Sequence, residues 1–225
     1  MNDSNIFVLG CIRTDSPTVI EKRLEKLASD NQDNIYFDEI QDEIIEQGFH
    51  ATENHPDIRR GIYEILPLLN FRAFLVLVNK KDPTYETKMA EMKMHERYSV
   101  FLKRLLQGRL TSRHCKYVFY FETLEFPEST LANTLEAFFL PYQEKLDIEF
   151  HIVGKENKIM VLTDYLNFIF FKLLDNPKKQ EPRMVQNFKL VKDKIALINY
   201  WNTNIHFSRK SEPIDVKKIS KLFSG

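Results

Sequence analysis

The side chains best placed to do chemistry in this sequence are a few carboxylates and imidazoles set against apolar surroundings. Asp164 is the sharpest case, a lone carboxylate in the run Ile159 to Leu174, among Met160, Val161, Leu162, Leu166, Phe168, Ile169, Phe170, Phe171, Leu173 and Leu174. At helical spacing it shares a face with Met160, Val161, Phe168 and Phe171. Its charge is therefore poorly solvated unless a metal ion, a cation or hydrogen-bond donors meet it. A plainer arrangement is also open: Thr163 could cap a helix starting here, leaving Asp164 in the first turn, where a negative charge suits the helix dipole. On spacing alone the cap is the simpler expectation.

Glu122 closes the aromatic segment Val118-Phe119-Tyr120-Phe121. Ligands and metals in open α/β sheets gather outside such carboxyl ends, although a solvated strand end is the simpler alternative. Lys80 closes Phe71 to Asn79 in a matching position, and with Lys81 and Asp82 it could equally form a polar turn. Together these ends could line one cleft. His50 precedes a helix and could act as a general acid or base or contact a phosphate; a hydrogen-bonded structural role is the common alternative. The six histidines are scattered without a zinc spacing, which argues against zinc. Six glycines form neither a Walker nor a Rossmann pattern, and the serine-nucleophile elbow is missing, so those chemistries are unsupported.

The elements that must position these residues alternate. Ile6 to Ile12 reads as a buried strand, and Ser16-Pro17 opens an amphipathic helix through Leu27. Ala28 to Gln47 is a polar connection with a short helix expected around Phe37 to Glu46. A helix from about Pro56 to Leu69 carries an apolar stripe, and Phe71 to Val78 follows as a strand covered on both faces. A long helix is expected from Thr84 to Leu106, stopping at Gly108. Lys116 to Glu122 and Ile148 to Val153 read as strands, with a helix from Ser129 to Leu140 between them that ends at Pro141. The apolar helix Ile159 to Leu174 packs on the sheet, Asn176 to Arg183 is a loop, and Lys189 to Trp201 and Asp215 to Phe223 look helical or mixed.

With 225 residues, 43% hydrophobic content and 18 Phe, the chain can bury a substantial core. Two cysteines, Cys11 and Cys115, lie far apart, which fits a reducing compartment, with the cytoplasm the default. Polar Asn2, Asp3, Ser4 and Asn5 stand where a secretion signal would need basic and then apolar residues, and the longest apolar run is interrupted and too short to span a bilayer. The formal net charge is zero, yet Asn176 to Gly225 holds eleven Lys or Arg against four Asp or Glu, about +7 on the tail and about −7 on the body. Such a split can mark an anionic partner such as nucleic acid, or a tail that docks on its own acidic body.

The order of short segments carries a resemblance. It runs through Phe7-Val8-Leu9-Gly10-Cys11-Ile12, Phe49-His50-Ala51, Arg59 to Leu66, Val78-Asn79-Lys80, Tyr98 with Leu102, Leu105 and Leu106, then Glu122, then Leu162-Thr163-Asp164-Tyr165. Over Asn2 to about Leu174 this resembles the bacterial and phage family called domain of unknown function 3800. The resemblance implies an α/β, RNase H-like mixed sheet flanked by helices over residues 1–175. Residues 176–225 then form a helical or mixed basic extension packed on it. It further implies acidic side chains that gather divalent ions, Mg²⁺ or Mn²⁺, to cleave or transfer phosphodiesters. Carried over by motif, Asp164 resembles the late acid, Glu122 the strand-end acid, and His50 and Lys80 the recurrent assisting pair. Family members open on a strand running into Asp-Glu-Ser-Gly, whereas this chain reads Met1-Asn2-Asp3-Ser4-Asn5, with Asn2 at the first acid and Asp3 as the nearest substitute ligand. The expected function is a metal-dependent nuclease-like protein acting on DNA or RNA. The alternative is a catalytically inactive RNase H-like binding or regulatory module of a mobile-element or phage-defence system.

Overall fold

The computed structural model describes residues 4–37, 40, 48–110, 114–123, 127–154, 157–210 and 213–224. The chain is a mixed α/β protein. Its strands are β1 (Ile6–Arg13), β2 (Arg72–Asn79), β3 (Lys116–Glu122), β4 (Asp147–Val153), β5 (Ile195–Tyr200) and β6 (His206–Ser208). Its α-helices are α1 (Pro17–Gln32), α2 (Pro56–Ile65), α3 (Pro83–Met89), α4 (Met94–Leu106), α5 (Glu128–Gln143), α6 (Met160–Asp175), α7 (Pro182–Val191) and α8 (Val216–Lys221). A four-stranded sheet has the order β1-β2-β5-β6, and β3 and β4 form a separate parallel pair.

β1 runs antiparallel to β2 from Ile6 opposite Asn79 to Arg13 opposite Arg72, and β2 runs parallel to β5 from Ala73 opposite Ile195 to Leu77 opposite Tyr200. Strand alternation sends Val8 and Ile12 of β1 to one face and Phe7, Leu9 and Cys11 to the other, each against its own apolar cluster. On the first face lie α1, α2, α6 and α7; on the second, α4 with Tyr85 and Met89 of α3. Helix α4 serves two cores at once. Phe101 and Leu105 pack on the larger sheet, while Tyr98, Leu102 and Leu106 join Phe121, Leu131, Leu135 and Phe139 beneath the β3–β4 pair.

Helix α6 is held by burial rather than by its ends. Its N-cap position, Ile159, offers no side-chain hydrogen bond, whereas Leu162, Tyr165, Ile169, Phe170 and Leu173 are fully buried. At roughly 1.5–3 kcal/mol for each large apolar side chain taken out of water, that burial outweighs a cap worth about 1 kcal/mol. The helix therefore begins a turn before Thr163. That residue is not a cap, and Asp164 lies past the first turn. The helix crosses β1 where Gly10 has no side chain: a Cβ there would come within 2.3 Å of Asn167 Oδ1 and 3.1 Å of Thr163 Cγ2.

Several boundaries differ from those expected. The long helix Thr84 to Leu106 is two helices. Asp82 and Pro83 start α3, and α4 restarts where Glu96 Oε2 accepts from the Lys93 backbone N–H at 2.6 Å. Helix α5 continues through Pro141 to Gln143, although the proline has no N–H to donate to the Ala137 carbonyl. Lys189 to Trp201 divides into the end of α7 and the strand β5, whose Ile195, Ile198 and Tyr200 are buried beside β2. Residues 176–225 thus supply two of the four strands of the larger sheet, β5 lying inside it. The short helix expected around Phe37 to Glu46 falls largely outside the described residues. Among those described, Ile35–Phe37 form a single 3₁₀ turn. No described helix is long and apolar enough to cross a membrane.

Candidate functional site

The loop before α2 is fixed by Asn54, which is 2% exposed. Its Oδ1 accepts from the His50 backbone N–H, its Nδ2 donates to the Gly48 carbonyl at 3.0 Å, and its own N–H donates to the His50 carbonyl at 3.2 Å. Gly48, at φ +72°, takes the left-handed turn that this wrap requires, a conformation that side-chain-bearing residues rarely adopt. Three hydrogen bonds from one buried residue, two of them through its side-chain amide, hold the backbone that carries His50 and Ala51. Asn54 was not singled out by sequence. The only signal was its place six residues after Gly48, ahead of the His55-Pro56 helix start.

The Ala51 peptide is gripped from both sides. Its N–H donates to Asp164 Oδ2 at 2.8 Å, and its carbonyl accepts from Arg59 Nη1 at 3.0 Å. The His50 ring lies alongside, Nδ1 standing 4.0 Å from Asp164 Oδ2, an ion-pair contact once the imidazole is protonated and too long for a hydrogen bond. The His50 side chain is 14% exposed and that of Asp164 37%, so the carboxylate reaches solvent while the imidazole is largely covered. Asp164 is met by a backbone donor, which answers the solvation problem its apolar setting raised.

Two tyrosines back this corner. Tyr63 of α2 and Tyr165 of α6 meet edge to face, centroids 5.2 Å apart, and both hydroxyls are buried without a hydrogen-bond partner among the described residues. Burial pushes both phenols well above their usual range. The Asp164 charge pushes the same way and the Arg59 charge opposes it. They stay neutral at any physiological pH. The Arg59 guanidinium also lies 5.5 Å from the centre of the Phe168 ring. Sequence reading named Arg59 and Tyr165 only as parts of motifs, and Tyr63 not at all.

The chain matches no family model, no curated protein and no solved structure.

Of the residues singled out by sequence, His50 and Asp164 come together. Asp3 lies outside the described residues. Glu122 ends β3 in the separate two-stranded sheet, opposite Val153, half-buried. Lys80 follows β2, and its backbone N–H donates to the Asn5 carbonyl at 2.7 Å, extending the β1–β2 pairing by one step. Among the described residues no three His, Cys, Asp or Glu side chains form a group able to hold a metal ion. The described residues of this corner do not make a protein cage for an ion.

Proposed function

We propose that this chain is a nuclease-like protein acting on phosphodiesters of DNA or RNA with Mg²⁺ or Mn²⁺. Asp164 and His50 carry this reading; Glu122 ends β3 in the separate two-stranded sheet and Lys80 follows β2, so neither is counted with them. One observation supports this reading above the rest: Ala51 and Asp164, 113 apart in sequence, are bonded in one corner, where His50, on a loop locked by Asn54, stands beside the solvent-reaching Asp164. Disposition of a carboxylate and an imidazole on rigid backbone is what proton transfer to or from a phosphodiester needs. A divalent ion, when bound, would neutralise phosphate charge and lower the pKa of a coordinated water. Asp164 would orient that assembly from α6, and His50 would hold or release a proton at Nδ1 or Nε2. The tail, with its excess of Lys and Arg, would contact the phosphate backbone.

A second reading is favoured by the Ala51 N–H bond itself. An acid that ties a loop to a helix is doing structural work, as expected of an RNase H-like module that binds or regulates without cutting. The two readings separate in one experiment. Purified protein is incubated with labelled single- and double-stranded DNA and RNA in Mg²⁺ or Mn²⁺, alongside Asp164→Asn. The catalytic reading expects metal-dependent cleavage, lost at least a hundredfold in Asp164→Asn while the melting temperature holds. Intact substrates with both metals, or undiminished cleavage by the variant, would overturn it.

A further inference from the structure

On the opposite side of the larger sheet from Asp164, the end of α4, the turn between β5 and β6 and the end of α5 enclose an open cleft of about 520 Å³. Lys103, Arg104, Gln107, Tyr142, Asn202 and Asn204 are among its lining, which includes no carboxylate among the described residues. The guanidinium of Arg104 is held in place: Nη1 donates to Gln107 Oε1 at 3.2 Å and Nη2 to the Thr203 carbonyl at 2.7 Å. Arg109 follows three residues past the helix, its Nη1 donating to the Gln107 carbonyl at 2.9 Å and its guanidinium 4.4 Å from the centre of Phe74. Each arginine buries an Nε–H that has no acceptor among the described residues.

Lys103 and Arg104 therefore line the cleft with no carboxylate among its described lining, and Arg109 follows beside them in the chain. Burial pushes the Arg109 guanidinium below its usual range; Cys11 opposes that and the Arg104 charge adds to it. The structural account of basic residues here is that they complement the α4 dipole, since Lys103 and Arg104 lie in its last turn. That dipole amounts to roughly half an elementary negative charge, which one cation more than satisfies. The turn opposite is built as a platform. Asn202 sits at φ 60° with its Oδ1 accepting from Lys88 Nζ at 2.5 Å, and the Trp201 N–H donates to the Leu77 carbonyl at 2.9 Å. Amide side chains, a lysine and the fixed Arg104 guanidinium lining a cleft are donors of the kind that recognise phosphate oxygens.

We propose that this cleft binds a phosphate-bearing anion. The phosphate belongs either to a free nucleotide or to a nucleic-acid backbone, and the site is separate from the His50–Asp164 corner, so it stands or falls independently of the nuclease reading. The test is calorimetric titration of the full chain at low salt with pyrophosphate and with ADP, and fluorescence anisotropy with a labelled ten-nucleotide single strand. Each is repeated with Lys103→Glu and Arg104→Gln. Saturable binding of at least one probe, weakened tenfold or more by both substitutions, is the expected result. Pyrophosphate or ADP binding assigns a free ligand, and binding of the strand alone assigns the backbone. Lys103 is exposed, so its variant retains the fold even if Arg104→Gln loosens the turn. Failure of all three probes to bind at millimolar concentration, or binding that Lys103→Glu leaves unchanged, would overturn the proposal.

Discussion

At the scale of single residues, Asp164 has two functions that substitution can pull apart. As acceptor for the Ala51 N–H it secures the His50 loop; as a charge it stands 4.0 Å from the His50 Nδ1. Asp164→Ala leaves the Ala51 N–H without its acceptor and should cost about 1–3 kcal/mol, read as a fall in the urea midpoint. Asp164→Asn keeps an acceptor oxygen and should lie within about 1 kcal/mol of the parent chain. Equal destabilisation by both would mean that the charge, through His50 or Arg59, stabilises this corner. The residue was visible in the sequence because a carboxylate within an apolar helix is conspicuous. Its partner was not, because a backbone N–H contributed by Ala51 leaves no mark in residue type.

At the scale of elements, two junctions carry measurable weight. Asp82 caps α3, its Oδ1 accepting from the Thr84 N–H at 2.9 Å, and those Thr84 contacts hold its carboxyl below the ordinary 3.8. A lowered folded-state pKa means the cap stabilises in full above the unfolded value and fades as pH falls through the folded one. Asp82→Ala should therefore cost about 1 kcal/mol at pH 7, a difference that shrinks toward zero in acid below pH 3.8. Thermal melts of both proteins across pH 2–7, a range of about five units chosen to bracket that titration, check it. The β1–α6 crossing is the second junction. Gly10→Ala should destabilise by about 1–3 kcal/mol, since its Cβ would meet Asn167 Oδ1 at 2.3 Å. Adding Asn167→Ala removes that atom, so the double substitution should be less unstable than the sum of the two singles, a coupling that a double-mutant cycle measures.

At the scale of the molecule, the layers were legible and the sheet order was not. The near-continuous apolar runs of Phe71 to Val78 and Ile159 to Leu174 announced a covered strand and a buried helix, and both are present. The β5 segment Ile-Ala-Leu-Ile-Asn-Tyr is short, and its pairing with β2 depends on contacts far away in sequence, which no local pattern encodes. The same holds for the site: His50 and Asp164 could each be nominated, but their meeting follows from how α6 lies across β1. A chain cut after Asp175 loses β5, β6, α7 and α8. It should show no cooperative melt, checked by circular dichroism against the full chain. A sharp transition in that fragment would mean the remaining strands form a self-sufficient unit.

The internal place of β5 also bears on how the protein is made. Between Asn79 and Ile195 the chain builds five helices and two strands before the neighbour of β2 exists. Until β5 is made, β2 carries an open hydrogen-bonding edge beside apolar Leu75, Val76 and Leu77. Pairing so distant in sequence is slow to close. Completion of the larger sheet therefore waits for the β5 and β6 segments, and chains that stop before Ile195 should expose that edge of β2 to self-association.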